Sequence, residues 1–300
     1  MQIVIAGGTG FLGRALVGAL RAEGHRVRVL TRRPRQIDDV AWNPDPDDQR
    51  AQPWTAAIDG ADAVINLAGE SIAGARWNAS RKQAIRESRL RATGALVLAI
   101  ANAQRRPPVF ISASAIGVYG NRGDERLTED SVPGTDFLAD VCRDWERIAL
   151  EVATMSRVVR VRTGIVLGRG GGALAPMALP FRLFVGGPAG SGTQYMSWIH
   201  IDDWVAMVRW ALQTDAVSAA INLTAPAPVT NTEFAHTLGR ALGRPSFMRT
   251  PAFALRLLLG EEMATALVLG GQRVLPARAE AMGYSFKYAT LDSALRAIYS

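Results

Sequence analysis

Glycines near the start of the chain carry the clearest chemical signal in the sequence. The segment Gly7-Gly8-Thr9-Gly10-Phe11-Leu12-Gly13 spaces three glycines as GxxGxxG directly after the apolar run Gln2 to Ala6. On a strand-to-helix turn, this spacing lets the backbone approach a pyrophosphate, and the free N–H groups of the first helical turn point toward it. A second strand at Arg26 to Leu30 completes a βαβ unit, so the sequence predicts a dinucleotide site made by these seven residues. A purely structural turn is the alternative interpretation.

The residues after the second strand indicate which dinucleotide binds. A chain that binds NAD usually places an acid there for the ribose hydroxyls, whereas this chain has Thr31-Arg32-Arg33 and no acid until Asp38. Two guanidinium groups suit a 2′-phosphate through charge-assisted hydrogen bonds. The sequence therefore favours NADP(H), with Thr31, Arg32 and Arg33 as ligands. The alternative is that both arginines are solvated turn residues.

The basic residues are almost all arginine. The chain has 300 residues, a formal net charge of +7 and 34 basic side chains, and only Lys82 and Lys287 among these are lysines. Chemistry that needs a positioned lysine therefore has two candidates. The arginines are spread along the chain and interleaved with acids, which disfavours a nucleic-acid partner.

Composition excludes several other classes of protein. With 48% apolar and 20% charged residues, the chain has the material for one large core and a small appendage. A single cysteine, Cys142, excludes an internal disulfide, and three scattered histidines without CxxC or HExxH predict no metal site. No signal peptide is evident, and no apolar run approaches the roughly 18 residues that span a membrane. We expect a cytoplasmic protein with no membrane partner.

Short apolar runs alternate with segments of helical period, which is typical of a parallel sheet covered by helices. The fold class predicted is α/β, a Rossmann-type doubly wound parallel sheet with a small, mostly helical C-terminal region on the substrate side. Further strands are predicted at Ala63 to Leu67, Val109 to Ser112, Val158 to Val166 and Ala220 to Leu223, and long helices at about 79–103 and 137–154.

Glycine-rich segments mark the second half of the chain. Residues 168–172 and 186–192 flank a helix at about 173–184, and we expect them to form functional loops. Asp202 is predicted to cap a helix that runs to Leu212, and another helix spans about 231–242. The predicted organisation is an NADP-binding Rossmann domain at 1–165, substrate-side loops and the remaining elements of that domain at 166–248, and a helical extension at 249–300.

Ordered motifs along the chain resemble those of a known superfamily. After the glycine turn come Asn66-Leu67-Ala68-Gly69, Ser112-Ala113-Ser114 with Val118-Tyr119-Gly120, Arg162 to Gly168, and Trp198-Ile199-His200-Ile201-Asp202-Asp203. The chain is similar to extended short-chain dehydrogenases/reductases, and most similar to their NAD(P)-dependent epimerase/dehydratase-like branch of epimerase family proteins. The stretch from Phe137 to Glu146 is specific to that branch. The tail from about Arg249 resembles the branch's C-terminal domain of unknown function.

The resemblance implies further cofactor contacts. It places Asn66 to Gly69 on the adenosine side, with Leu67 and Ala68 nearest, and Arg89 beside the cofactor, where a solvated helix arginine is the alternative. It also implies that Ser112 and Ser114 line the nicotinamide and that Val166 meets it from the other side. For the two serines, a plain strand end is the alternative.

The catalytic residues of the superfamily do not transfer. Most members use a tyrosine whose pKa is lowered by a lysine four residues later. Neither Lys82 nor Lys287 has a tyrosine four residues before it, and the resemblance puts Leu138 and Cys142 at the two positions. One hypothesis is an enzyme, an NADP-dependent oxidoreductase or epimerase, whose acid or base is Ser114, Tyr119, Glu70 or, less in keeping with its helix-leading position, His200. The other is a catalytically inactive NADP(H)-binding sensor or partner protein.

Substrate and assembly are only outlined by the sequence. Arg76, Trp77, Arg162 and Arg182 with the glycine loops are candidates to bind an anionic group, and ordinary surface arginines are the alternative. A nucleotide sugar or another anionic carbonyl or hydroxyl compound would fit. The resemblance implies a homodimer, for which the long helix at 79–103 is the candidate interface.

Overall fold

A seven-stranded parallel sheet forms the centre of the protein. The computed structural model describes residues 1–44 and 53–300. Its strands are β1 Gln2–Ala6, β2 Arg26–Thr31, β3 Asp39–Ala41, β4 Ala63–Asn66, β5 Val109–Ala115, β6 Arg126–Leu127, β7 Arg157–Thr163, β8 Ile165–Leu167, β9 Tyr195–Met196, β10 Trp198–His200, β11 Ala219–Leu223, β12 Val229–Thr230 and β13 Arg273–Val274. Its helices are α1 Phe11–Ala22, α2 Thr55–Ile58, α3 Ala79–Asn102, α4 Phe137–Ala149, α5 Leu174–Arg182, α6 Ile201–Gln213, α7 Asn231–Leu242, α8 Ala252–Leu259, α9 Glu261–Ala264, α10 Ala277–Ala281 and α11 Leu291–Tyr299.

The order of the central strands is β3-β2-β1-β4-β5-β7-β11, and every neighbouring pair is parallel. From β1, the strands β2 and β3 are added on one side of the sheet, and β4, β5, β7 and β11 are then added on the other side. The carboxyl ends of β1 and β4 therefore flank the switch point where such sheets bind ligands. This topology confirms the predicted Rossmann-type fold.

Alternate residues of the central strands supply two hydrophobic layers. In β1, Ile3 and Ile5 join a core cluster under α1 and α6, whereas Val4 and Ala6 join a second cluster under α3. Successive side chains of a strand point to opposite faces, so a strand buried on both faces reads as a continuous apolar run. This explains the sequence Gln2–Ala6.

The strand predicted at Val158 to Val166 is divided in the structure. β7 ends at Thr163 in the central sheet, and β8 pairs with β10 in a separate two-stranded sheet. Gly164 makes this change of direction possible, since a Cβ there would lie 2.6 Å from the Ser197 carbonyl oxygen. Val166 consequently belongs to the core cluster under α1 and α6, and it is 8% exposed.

The expected N-cap of α6 is wrong. His200 is the N-cap, and its Nδ1 accepts from the backbone N–H of Asp202 at 3.1 Å. Asp203 has a different role, because its two carboxylate oxygens accept the backbone N–H groups of Lys287 and Tyr288 at 2.8 Å each. A carboxylate at the start of α6 thus fixes the segment that leads into α11. The predicted 137–154 helix also ends early, at Ala149, and continues as a tighter turn through Val152.

The C-terminal segment contributes to the interior of the main body. Ala279 of α10 joins the core cluster under α1 and α6, and Leu291, Leu295 and Ile298 of α11 pack with Phe234 of α7. β13 pairs in parallel with β6, which is far away in the sequence.

Candidate functional site

The β1–α1 turn is held by glycines that cannot be replaced without moving backbone. Gly7 has φ +79°, and a Cβ there would lie 2.6 Å from the carbonyl carbon of Leu67. A Cβ on Gly13 would lie 2.2 Å from the Gly7 carbonyl oxygen, and one on Gly8 would lie 2.7 Å from Val29. These three glycines therefore bring α1, β1, β2 and the end of β4 close together, as the fingerprint requires.

Gly10 differs from these three because its Cβ direction is open. A Cβ there would meet only the Gly7 carbonyl oxygen, at 3.4 Å. Gly10 is also the N-cap of α1, with no side-chain cap and no acid in the first turn of the helix. The uncapped N–H groups and the open space in front of them fit a phosphate group. The predicted pyrophosphate position therefore has the required shape.

Two other residues of this turn, Thr9 and Phe11, make contacts within the protein. The Thr9 carbonyl oxygen accepts from Arg14 Nη1 at 2.7 Å. The Phe11 ring packs against Gly168, Gly171 and Gly172, whose Cβ atoms would lie 2.6–3.1 Å from it. The loop at 168–172 is thus packed on the fingerprint turn through the Phe11 ring.

Two arginines lie exposed where β2 ends. Arg32 and Arg33 are solvent-exposed, Thr31 is partly buried, and the Thr31 hydroxyl accepts from the Arg33 N–H at 3.3 Å. Neither guanidinium forms an ion pair within residues 1–44 and 53–300, whereas Asp38 pairs with Arg21 at 3.5 Å. The two exposed guanidinium groups lie at the position where the sequence predicts the 2′-phosphate.

Asn66 shapes the end of β4. Its buried amide donates to Thr93 Oγ1 of α3 at 2.9 Å, and its Oδ1 accepts from the Ala68 N–H at 3.1 Å. The turn through Leu67 and Gly69 is thereby anchored to α3. Sequence reasoning named the turn but missed Asn66 and Thr93 as the pair that fixes it.

Arg89 of α3 lies against the same turn. A Cβ on Gly69 would lie 3.3 Å from Arg89 Cγ and Cζ, so the missing side chain leaves room for the arginine. The guanidinium lies 5.3 Å from the Trp145 ring centroid, and Nη1 donates to the Ile85 carbonyl oxygen at 2.9 Å. Burial lowers its pKa, and no carboxylate pairs with it in the part of the chain that the structure describes. Arg89 is thus a partly buried cation at the carboxyl edge of the sheet.

Glu146 of α4 organises a buried polar network under this edge. Its Oε1 accepts from Ser114 Oγ at 2.7 Å and from Arg162 Nε at 2.8 Å. Its Oε2 accepts from Arg162 Nη2 at 3.0 Å and from Arg160 Nη1 at 2.9 Å. Burial by itself would raise the pKa of Glu146, but the hydrogen bonds and charge of Arg162 hold it below its ordinary value. The carboxylate is therefore ionised and fully occupied.

The network removes two predicted roles. Arg162, predicted as an anion ligand, is buried and also donates from Nη1 to Tyr119 Oη at 2.9 Å, so that prediction is wrong. Tyr119 is fully buried, and its hydroxyl donates to Asn222 Oδ1 at 2.7 Å. Burial raises the pKa of Tyr119. Both bonding positions of the Tyr119 hydroxyl are thus engaged within the protein.

Sequence reasoning missed Glu146 and Asn222 as site residues, although one signal was present. Arg160 and Arg162 are two residues apart on a buried strand and so share one face. Two arginines on an interior face require a buried carboxylate. Glu146, on the branch-specific stretch of α4, is that carboxylate.

Ser112 and Ser114 lie in the C-terminal half of β5, and both are almost completely buried. Cys142 lies close by on α4, and burial raises the pKa of its thiol to about 11. A Cβ on Gly117 would lie 3.4 Å from Leu138 Cβ and 4.0 Å from Cys142 Sγ. Leu138 and Cys142, the positions to which the resemblance assigns the catalytic tyrosine and lysine, therefore lie beside Gly117 and carry an apolar side chain and a thiol.

Glu70 follows the end of β4 and keeps a half-exposed carboxylate. Its Oε2 lies 3.3 Å from Arg81 Nη1, and its backbone N–H donates to Ser88 Oγ at 3.0 Å. Trp77 packs edge-on against Phe137 at 5.3 Å, and its indole N–H donates to the Ile72 carbonyl oxygen. Arg76 lies beside Gly260, at the start of α9. These contacts join the segment after β4 to α3, to the start of α4 and to Gly260.

His200 lies elsewhere, in an open cavity of about 730 Å³ between α1, the loop after β8 and α11. Its ring is 4.0 Å from that of Tyr288, and burial lowers its pKa. Because its Nδ1 caps α6, the imidazole has a structural role. Arg182 is exposed on α5.

The described residues contain neither a membrane-spanning helix nor a metal-binding cluster. No helix within 1–44 and 53–300 is long and apolar enough to cross a membrane. Over the same ranges, no group of three or more His, Cys, Asp or Glu side chains is arranged to hold a metal ion.

Comparison with known proteins identifies relatives over the whole chain. Residues 3–223 match the model of the NAD dependent epimerase/dehydratase family, and residues 250–298 match a domain of unknown function, DUF1731. The chain is 45% identical to an Arabidopsis thaliana protein named epimerase family protein SDR39U1 homolog, chloroplastic, covering 99% of this chain and 86% of that protein.

Two solved structures extend this similarity. The crystal structure of human epimerase family protein SDR39U1 with NADPH has a TM-score of 0.92 and 37% identity, covering 100% of this chain and 99% of the human chain. A Corynebacterium glutamicum structure described as a nucleoside-diphosphate sugar epimerase has a TM-score of 0.80 and 36% identity, covering 99% of this chain and 57% of that one.

Proposed function

The chain belongs to the NAD dependent epimerase/dehydratase family, and on that premise we propose that it binds NADP(H) and exchanges hydride with a carbonyl or hydroxyl substrate. The β1–α1 turn carries this proposal, since its one open glycine lies in front of an uncapped helix N-terminus. The bound nicotinamide supplies or accepts the hydride. The similar human protein was crystallised with NADPH, which supports the choice of phosphorylated cofactor.

Two sets of arginines have different tasks in this proposal. Arg32 and Arg33, exposed at the end of β2, bind the 2′-phosphate that distinguishes NADP(H) from NAD(H). Arg89 provides a cation at the end of β4, close to Cys142 at the lysine position of relatives. We propose that Arg89 takes over the positioning of the ribose next to the nicotinamide. This ribose is common to both cofactors.

Cofactor titration separates the two tasks. The double variant Arg32→Ala/Arg33→Ala is expected to weaken NADPH binding by about 10²- to 10⁴-fold, because two charge-assisted bonds of about 1.5–3 kcal/mol each are lost, and to leave NADH binding unchanged. Arg89→Met is expected to weaken both cofactors about tenfold by the loss of one such bond. Fluorescence titration measures all four dissociation constants.

Matched variants serve as controls for that titration. Arg26, exposed at the opposite end of β2, and Arg91, paired with Glu87 on the outer side of α3, are replaced by alanine and methionine respectively. Neither control is expected to change cofactor affinity. NADH binding as tight as NADPH binding in the wild type would overturn the NADP(H) assignment, and equal affinities in Arg89→Met and wild type would overturn the role of Arg89.

Glu70 is the acid or base that we propose for proton transfer. Its carboxylate is half exposed at the carboxyl edge, whereas the hydroxyl groups of Ser114 and Tyr119 are bound inside the network. Arg81 Nη1 donates to its Oε2 at 3.3 Å. The engaged hydroxyls and the leucine at the tyrosine position also support the second candidate function, an NADP(H) sensor without turnover.

Turnover distinguishes the enzyme from the sensor. Purified protein with NADPH is screened against carbonyl compounds, including the keto forms of nucleotide sugars. The absorbance of NADPH measures its consumption. For the enzyme we expect a substrate-dependent rate that Glu70→Gln lowers by about 10²–10⁴-fold, the usual contribution of a general acid or base, with NADPH affinity retained. Tight NADPH binding without consumption by any compound would favour the sensor instead.

A further inference from the structure

A contiguous group of exposed apolar side chains lies on the substrate side of the protein, away from the cofactor turn. At the end of α5, Leu179, Leu183, Phe184 and Val185 are between 45% and 62% exposed. On the segment that includes α8, Phe247, Phe253, Leu257 and Leu258 are between 71% and 77% exposed. We call these eight residues the apolar patch.

Hydrogen bonds hold the two halves of the apolar patch together. The Met248 N–H donates to the Gly186 carbonyl oxygen at 3.1 Å, and the Thr250 N–H donates to that of Pro188 at 2.9 Å. Arg244 lies over the Phe184 ring at 4.7 Å. The segments at 184–190 and 244–252 therefore form one surface.

Packing within the folded chain does not explain why these apolar side chains are exposed. α8 has five apolar side chains besides its alanines, yet no residue of this helix is buried. Phe184 adopts φ +63°, which is unfavourable for a bulky side chain, while its ring is mostly in solvent. Large exposed apolar patches mark interaction sites in soluble proteins, and strained residues persist where a function maintains them.

Arginines predominate among the charged residues around the patch. Residues 174–200 and 240–260 contain Arg182, Arg240, Arg244, Arg249 and Arg256 and no Asp or Glu. Arg240 lies 4.0 Å from Asp292 and Arg256 lies 3.0 Å from Glu261, while Arg182 and Arg244 form no ion pair within 1–44 and 53–300. A complementary partner is therefore negatively charged as well as apolar.

This charge argues against a second copy as the partner. A symmetric contact places the same surface on both subunits, so arginines would face arginines. An anionic lipid surface satisfies both requirements, because basic groups bind its head groups while Phe and Leu side chains enter the acyl boundary.

We propose that the apolar patch docks the protein reversibly on an anionic membrane surface. Surface docking does not require a spanning helix, so the absence of such a helix among the described residues is compatible with it. This departs from the expectation of no membrane partner, which considered spanning segments. The proposal is independent of the cofactor and of turnover.

Sedimentation with vesicles tests the proposal. Phosphatidylcholine vesicles with and without phosphatidylglycerol are mixed with the full chain and pelleted. We expect binding only to the vesicles that contain phosphatidylglycerol, weakened by added salt. Phe253→Ser/Leu257→Ser should weaken this binding by about a hundredfold, since each side chain loses its burial in lipid. Leu183→Ser provides a second, independent loss on the α5 half of the patch, where Leu183 is 62% exposed.

Leu98→Ser is the matched control, because Leu98 is 58% exposed on α3 and lies outside the apolar patch. It should bind vesicles as the wild type does, and circular dichroism verifies that all variants are folded. Wild-type protein that remains in the supernatant with both vesicle types would overturn the proposal, as would undiminished binding by the patch variants. A wild-type dimer that Phe253→Ser/Leu257→Ser converts to a monomer, without vesicle binding, would assign the patch to self-association instead.

Discussion

Replacement of Gly10 by aspartate is expected to abolish NADPH binding while leaving the protein at least as stable as the wild type. Gly10 is exposed, has φ −73° and ψ 177°, and has open space where a side chain would begin. Aspartate is a preferred N-cap, and its charge suits the positive end of α1, so the free energy of unfolding should rise by about 0.3–1 kcal/mol. The same carboxylate occupies the N–H groups proposed to bind the pyrophosphate and repels its charge. We expect the dissociation constant to rise by at least about a hundredfold, or about 2.7 kcal/mol.

Gly18→Asp is the control for this variant. Gly18 lies on the same helix, is exposed, and has no atom within 4 Å of its Cβ direction. It adds the same charge away from the turn and should not alter the NADPH affinity. Thermal unfolding and fluorescence titration of the two variants give stability and affinity separately. NADPH binding retained by Gly10→Asp would place the pyrophosphate elsewhere and contradict the proposed cofactor site.

Replacement of Glu146 by alanine is expected to cost about 3–5 kcal/mol of stability, the usual cost of removing one partner from a buried ion pair. Arg162 would lose both bonds to the carboxylate, and Arg160 and Ser114 would each lose one. The buried cations left behind are then uncompensated. Glu151→Ala removes the exposed pair with Arg147 at 3.6 Å and should change stability by no more than about 0.5 kcal/mol. Denaturant unfolding of both variants measures the contrast, and similar midpoints would show that the network contributes little.

The acid side of the stability profile gives a second measurement of the same residue. Burial by itself would raise the pKa of Glu146, but Arg162 and Ser114 lower it below its ordinary value. A carboxyl whose pKa falls on folding stabilises the protein above its unfolded value of about 4.3, and that contribution is lost as the pH falls through the lower folded pKa. The difference in unfolding free energy between wild type and Glu146→Gln should therefore shrink on acidification below about pH 4.3. A difference that is independent of pH would contradict this assignment.

Local patterns were sufficient to predict the main body of the fold. The glycine turn, the apolar runs of β1 and β4 and the long helical segment that becomes α3 each report on neighbours close in sequence. The helix predicted at 79–103 is Ala79–Asn102 in the structure. These elements are consistent at every level of the fold, so periodicity was enough to find them.

The polar interior could not be predicted in the same way, because its partners meet only in the folded chain. Tyr119 was a catalytic candidate on sequence grounds, yet its hydroxyl binds Asn222, which lies 103 residues away. Asp202 was predicted as a cap because acids usually occupy that position, but the imidazole two residues before it accepts the N–H instead. The sequence likewise does not distinguish Arg162 from a surface arginine, because its contact with Glu146 of α4 forms only when β7 joins the sheet.

The pairing of β6 with β13 bears on how the chain folds. Glu129, two residues after β6, accepts the Arg278 N–H across 149 residues, and Asn222 donates to the Leu275 carbonyl oxygen of the same region. Contacts between such distant segments form late, since the entropy of closing the intervening loop must be overcome first. Until they form, Leu127 and Val274, both fully buried in the native protein, are open to water. We expect a transient intermediate in which the N-terminal βαβ elements are folded while β6 and β13 are still unpaired. Aggregation during refolding should begin at the apolar surface that this pairing later buries.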